Sequence, residues 1–433
     1  MGDYRGSLVT VTMTRLDSYE RGLLEGAAGA GAALAMRVVV ESARVLGATG
    51  LVPIRSAHID SCLYHGDSGT LFAERLAGLG ARVSVPTTLN VGALDLLHAK
   101  VARLDPAART MAHRLMSAYV AMGARQTWTC APYQAGHRPA AGDDVAWGES
   151  NAVAFCNSVL GARTNRYGDF LDICAAITGR APQTGLHLPQ NRVARVLIDA
   201  TGVPPAFWRD DAAFPILGAW LGRAVGQQVA AIEGIGHPTE DQLKALGAAA
   251  ASSGAVGLFH LIGVTPEAPT RAAAFGNCPP EGIIPLDLAA LAKTRASLST
   301  VDRMAGDPID AVAVGSPHLS SDELRSLDRL LGHRQCSKPL YACTGRHSLD
   351  ALHGEGVIER LRGRGVTVVV DTCIVVTPVL PAGSGVLVTN SGKFAHYARP
   401  NTGYDVVFAT LSECIESAVR GSLHLDPDDW HAT

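Results

Sequence analysis

Two spacings of apolar residues alternate along the chain. Residues 30–46 repeat Ala, Leu, Met and Val at helical intervals and stop at Gly47, which predicts a helix. The short apolar run 51–57 (LVPIRSA) predicts a buried strand, followed by a helix over about 70–79 and a strand over 81–87. Two strands joined through a helix make a right-handed parallel βαβ unit. Further helices are expected at 105–122, 149–160, 211–225 and 239–252, with apolar strands near 193–199 and 255–264. From residue 311 the alternation becomes regular. Strands at 311–315, 339–344, 366–373, 385–390 and 405–410 interleave with helices at 321–332 and 348–362, a short helix after 390 and a last one over LSECIESAVRG. The pattern predicts an α/β protein with at least two parallel-sheet lobes. The Gly/Pro-rich FGNCPPEGIIP is the expected division, with N-terminal lobes over 1–280 and a C-terminal lobe over 281–433.

Ligands of open parallel sheets bind outside the carboxyl ends of the strands, and the unusual polar clusters of this chain fall there. His58 to Gly66 follow one predicted strand, and Thr87, Thr88 and Asn90 follow the next. Cys130, Pro132, Tyr133, Gln134 and His137 come after Trp128, Ser316-Pro317-His318 after 311–315, Asp371-Thr372-Cys373 after 366–370, and Asn390-Ser391-Gly392-Lys393 after 385–389. Asp, Ser and Asn at such places also begin helices as caps; Ser320, Asp322 and Ser391 fit that role, whereas His58, Cys373 and Lys393 do not. Repetition at six strand ends predicts one shared cleft. Glu149, Val153 and Asn157 share a helix face with Ser158 beside them, and Arg163, Thr164 and Asn165 follow Gly161. The interleaved Ala, Val and Phe predict a buried helix whose polar groups need partners.

Composition narrows the function. With 433 residues, 37 basic against 40 acidic side chains and no Lys/Arg-rich run, the chain has no electrostatic footprint for nucleic acid. No unbroken apolar stretch reaches membrane-spanning length, and the first residues carry no secretory pattern. A cytoplasmic protein is expected. Nine cysteines spread without a Cys-x-x-Cys pair read as reduced thiols. The glycines at 26, 29 and 31 sit inside a helical pattern and predict no dinucleotide site.

The segments AHIDSCLYHG (57–66), VPTTLN (85–90), TCAPYQAGHRPAAGD (129–143) and WGESNAVAFCNSVLGARTNRYGD (147–169) resemble the aconitase X family, as do ITGRAPQTGLHL (177–188), GSPHLS (315–320), VVDTC (369–373) and TNSGKFAHY (389–397). The resemblance runs from about residue 16 to about 422. It implies an aconitase-like fold, multi-lobed parallel-sheet domains around a central cleft, and a dehydratase using an iron–sulfur cluster. The stretch His58 to His65 looks like the cis-3-hydroxy-L-proline dehydratase type, with mevalonate 5-phosphate or another small hydroxy acid as the alternative substrate. A cluster-free binding or scaffold subunit is the competing reading. Ser316 stands where the archaeal type carries a cysteine.

The cluster ligands implied by the resemblance are Cys373 and Cys414, with Cys62 as third and Cys343 as runner-up. His58 and His318 are expected to act on the leaving hydroxyl. Ser61, Thr88, Asn90, Glu149, Asn157, Arg163, Thr164 and Asn165 are expected around the substrate, Arg163 and Lys393 on its carboxylate, and Ser391 as a base should the chain act alone. The family's serine base sits on a small swivel domain that nothing in the sequence resembles, so a separate swivel subunit is expected as partner.

Overall fold

The computed structural model describes residues 14–426, so the expectation about a secretory pattern falls partly outside the described residues. Among the described residues, fourteen strands and their helices build three parallel sheets and one small antiparallel pair. The pair joins β1 (Leu51–Pro53) to β5 (Arg180–Pro182). The first sheet has the order β3-β2-β4, with β2 at Ala57–Ile59, β3 at Thr87–Leu89 and β4 at Ala146–Trp147. The predicted strand 51–57 is therefore two: after Pro53 the chain turns, Arg55 N–H bonds Asp144 O, and β2 enters a different sheet. The predicted strand 81–87 starts pairing only at its end, because the register sets Ala57 opposite Thr87.

The second sheet, in the order β8-β7-β6-β9, comprises β6 (Val196–Asp199), β7 (Ala230–Glu233), β8 (Phe259–Leu261) and β9 (Gly282–Pro285). All its pairings are parallel. Since β9 is hydrogen-bonded to β6, the expected division at 280/281 falls ahead of this sheet's last strand. The third sheet is five-stranded, β12-β11-β10-β13-β14. Its strands are β10 (Ala311–Leu319), β11 (Leu340–Thr344), β12 (Val366–Val370), β13 (Val386–Thr389) and β14 (Asp405–Phe408). Near-continuous Val, Leu and Ala runs suit strands covered on both faces, and β10 to β13 are almost wholly buried.

Two departures from the expected elements shape the cleft. β10 runs on to Leu319, with a register shift after Val314 and a cis Ser316-Pro317 bond. Ser316 and His318 thus lie within the strand rather than after it. The predicted helix 149–160 is α-helical only over Ser150–Phe155 and continues as a π-helical turn, Cys156–Leu160, ended by left-handed Gly161. Among the described residues no helix is long and apolar enough to cross a membrane.

Candidate functional site

The carboxyl ends of the first and third sheets face one another across a cavity of about 190 Å³. Asp60 follows β2, Asn90 follows β3 and Glu149 follows β4, so every strand of the first sheet contributes a cleft residue. Opposite them stand Ser316 from β10, Cys373 from the loop after β12 and Lys393 from the helix Gly392–Thr402 after β13. Cys130, Arg166 and His65 complete the polar wall. A larger open groove of about 1120 Å³ lies between Val38 and Leu258, but it is mostly apolar and lacks thiols; Arg166 borders both. The smaller cavity holds the chemistry.

Lys393 Nζ donates to Glu149 Oε1 at 2.5 Å, and Glu149 Oε2 accepts from Ala152 N–H at 2.6 Å as the cap of its helix. Burial opposes the charge on Lys393, but Glu149 and the nearby thiols outweigh it and hold the ammonium above its ordinary range. Asp60 accepts from Asn90 Nδ2. Burial, then the charges of Glu149 and Asp172, push its carboxyl up to about 7. Asp60 must sit where it does because Asp172 binds its backbone N–H at 2.7 Å, and because residue 148 is glycine: a Cβ there would lie 2.8 Å from the Asp60 Cβ.

The thiols divide into separate groups. Cys373 is lowered to about 7, foremost by the Cys343 thiol hydrogen-bonded to it, with Val375 N–H, Lys393 and Ser316 adding to this against burial. Cys130 is pushed up to about 12 by burial and Glu149, and interacts electrostatically with Cys373. Cys62 is elsewhere. Its Sγ points at the carbonyls of Ile59 (3.3 Å) and Asn90 (3.4 Å), and burial drives its pKa far up. Cys414 packs with Ile415 and Ala418 in the third lobe's apolar core, because those positions share the inner face of the helix Leu411–Arg420. The structure thus separates Cys62 and Cys414 from Cys373, and brings Cys343 and Cys130 to it.

Several expected substrate residues serve the frame instead. His58 Nδ1 bonds Thr88 Oγ1 at 2.8 Å, which bonds His137 Nδ1 at 2.7 Å, and both histidines lie behind the cleft against Trp147. Burial keeps His58 well below its ordinary pKa and His137 at about 4. His318 bonds Thr129 Oγ1 and the Thr372 carbonyl, its backbone N–H reaches Cys130 Sγ, and burial lowers it to about 3. It positions both thiol loops without lining the cavity. Ser391 caps its helix and donates to the Ser316 carbonyl. Ser61 is held by Asp172 and Tyr119. Asn157 ties Thr164 to buried Arg192, Thr164 bonds Trp147 N–H, and Asn165 pins the 184–186 turn. Arg163 does not line the cavity, whereas Arg166, three residues on, does. Asn157, Thr164 and Asn165 found partners within the protein, which is why they are structural. Asp60, Cys130 and Arg166 are among the cleft residues that sequence reasoning left without a role, as are His65 and Asn401. For Asp60 the position just past β2 was the visible signal.

An iron–sulfur group would ask for soft thiolate donors. Among the described residues no three His, Cys, Asp or Glu side chains already surround a metal-sized point. Cys373, Cys343 and Cys130 nonetheless supply neighbouring thiols, one of them already acidic beside a lysine, and this donor set fits.

Models of the aconitase X first, second and third domains match residues 13–190, 194–296 and 309–420. The chain is 42% identical over 421 residues to a cis-3-hydroxy-L-proline dehydratase of Pseudomonas aeruginosa, covering 96% of this chain and 72% of the relative. It is 39% identical to a protein of that name from Hypocrea jecorina, covering 94% and 69%. The phosphomevalonate dehydratase large subunit of Methanothermobacter thermautotrophicus is 36% identical, with 91% and 96% covered. The crystal structure of holo aconitase X from Thermococcus kodakaraensis superposes with a TM-score of 0.82 at 31% identity, covering 94% of this chain and 100% of that one.

Proposed function

The chain belongs to the aconitase X family, and from that premise we propose that it is a hydro-lyase removing water from cis-3-hydroxy-L-proline to give Δ1-pyrroline-2-carboxylate. The observation that carries this reading is the meeting of Cys373, the Lys393–Glu149 pair and Asp60 in one cavity of a chain most of which aligns with proteins of that name. Cys373, Cys343 and Cys130 are the residues that would hold an iron–sulfur cluster. Bound there, the cluster supplies a Lewis acid for the departing hydroxyl.

The chain's own residues supply the remaining electrostatics. Loss of the Cα proton puts charge on the substrate carboxylate, and a fixed cation in a desolvated cleft stabilises that charge. Lys393 is held protonated and so serves as the cation rather than as a base. Glu149, engaged by Lys393 and by its helix cap, positions that ammonium. Ser391 is engaged in capping and in its bond to Ser316. The base is therefore assigned to a small swivel subunit, a reading supported by the archaeal relatives being named large subunits.

The test is to purify the chain without oxygen, alone and co-expressed with a candidate small subunit, and to assay cis-3-hydroxy-L-proline and mevalonate 5-phosphate. Turnover of the hydroxyproline by the pair and not by the lone chain is expected. An iron-loaded pair that dehydrates only the phosphate ester would overturn the substrate assignment, and a colourless, iron-free pair would favour the scaffold reading.

A further inference from the structure

Four charged side chains line the cavity: Asp60, Glu149, Arg166 and Lys393. Two of them neutralise each other, because Lys393 and Glu149 are directly bonded. Asp60 and Arg166 remain. Asn90 occupies one carboxylate oxygen of Asp60, and Oδ2 makes no hydrogen bond among the described residues. Arg166 is exposed at the cavity wall and makes no hydrogen bond or ion pair among the described residues. The cleft thus offers one carboxyl oxygen and one guanidinium without protein partners, the first directly after β2 and the second in the irregular segment that follows the π-helical turn and Gly161.

We infer that Asp60 and Arg166 select an amino-acid zwitterion, Asp60 facing the secondary ammonium and Arg166 the carboxylate. The inference rests on the proposed reaction and deepens it. A planar guanidinium matches a carboxylate in two parallel hydrogen bonds. A carboxylate with a free lone pair accepts from a ring ammonium, whereas the same oxygen repels a doubly charged phosphate ester. Lys393 keeps N–H groups for the carboxylate, but its charge is offset by Glu149, so Arg166 is the one unbalanced cation, too few for a phosphomonoester, and the charge pattern favours the hydroxyproline over the phosphomevalonate.

The test uses binding, not turnover. Calorimetry on the holoprotein compares L-proline with cyclopentanecarboxylate, which lacks the ammonium, with pyrrolidine, which lacks the carboxylate, and with inorganic phosphate. L-proline is expected to bind at least about tenfold more tightly than the other three, the scale of one charge-assisted hydrogen bond. Asp60→Asn keeps an acceptor for Asn90 and should erase the preference over cyclopentanecarboxylate, leaving affinity for the latter within about twofold. Arg166→Gln should weaken both acids by about tenfold and leave pyrrolidine unaffected. Equal binding of L-proline and cyclopentanecarboxylate by the unaltered protein, or tighter binding of phosphate, overturns the inference without any variant having to fold. An iron-loaded pair of this chain and the small subunit that shows the preference but turns over no hydroxyproline overturns the dehydratase reading and leaves this one standing.

Discussion

Lys393 reaches back over 244 residues of sequence to place its ammonium 2.5 Å from Glu149. The contact joins the third lobe to the first and is half charge delivery, half clasp. Lys393→Met removes the cation facing the substrate carboxylate, and kcat should fall by about 10²–10³-fold, the usual cost of one preorganised donor. Glu149→Gln instead strands a buried ammonium, and urea titration should show a loss of about 3 kcal/mol or more. Equal kinetic behaviour of the two variants would show that the pair acts only as a clasp.

Iron content separates the thiols. Cys373→Ser and Cys130→Ser, purified without oxygen, should lose iron and visible absorbance. Cys62→Ser and Cys414→Ser should retain both, because one thiol is turned to backbone carbonyls and the other is sealed in an apolar core. Iron lost from Cys414→Ser in a protein with unchanged circular dichroism would restore it as a ligand.

Gly148→Ala tests the placement of Asp60. The added methyl meets the Asp60 Cβ at 2.8 Å and an Asp172 oxygen at 3.3 Å. Overpacking of this kind costs about 1–3 kcal/mol, and the carboxylate must move to relieve it. A lower melting temperature together with a raised KM is expected. A normal KM would mean that Asp60 need not stand where it does.

Acid stability carries a histidine signature. His137 is lowered to about 4 by burial and then by the charge of Arg125, from an ordinary 6.5. The unfolded chain therefore binds more protons between those values, so this contribution to stability is present above about 6.5 and is lost as pH falls toward 4. Denaturant midpoints measured from pH 7.5 to pH 4.5 should fall less steeply in His137→Gln, which keeps a partner for Thr88. Parallel slopes would assign the acid loss to other buried groups, His58 and His318 first.

The sheets were legible because their strands are apolar runs, and the cleft was legible because polar residues cluster where such runs end. What escaped was the direction of individual side chains. Cys414 lies three residues after Leu411 and four before Ala418, a spacing that turns it to the helix's inner face, and it is buried there. Arg163 and Arg166 lie on irregular backbone after Gly161, where no periodicity says which of them points into the cavity. Cys130 follows Trp128, a residue at φ 42° outside any strand or helix, and only the docking of His318 onto its sulfur fixes its place. His58 is read as a cleft residue from its position in β2, yet its ring is taken up by Thr88 and Trp147, and it is Asp60, one residue past the end of the strand, that faces the cavity.

The cavity wall draws on Asp60 near one end of the chain and on Asn401 near the other. During synthesis the first lobe is off the ribosome long before the third, and for most of that time its three cleft strands end in water. Cys130 has neither Cys373 nor Lys393 beside it until the helix Gly392–Thr402 has emerged and docked. The proposed cluster would therefore have to be loaded on a finished chain, and a ribosome stalled before that helix releases a product with an intact first lobe but no completed cavity.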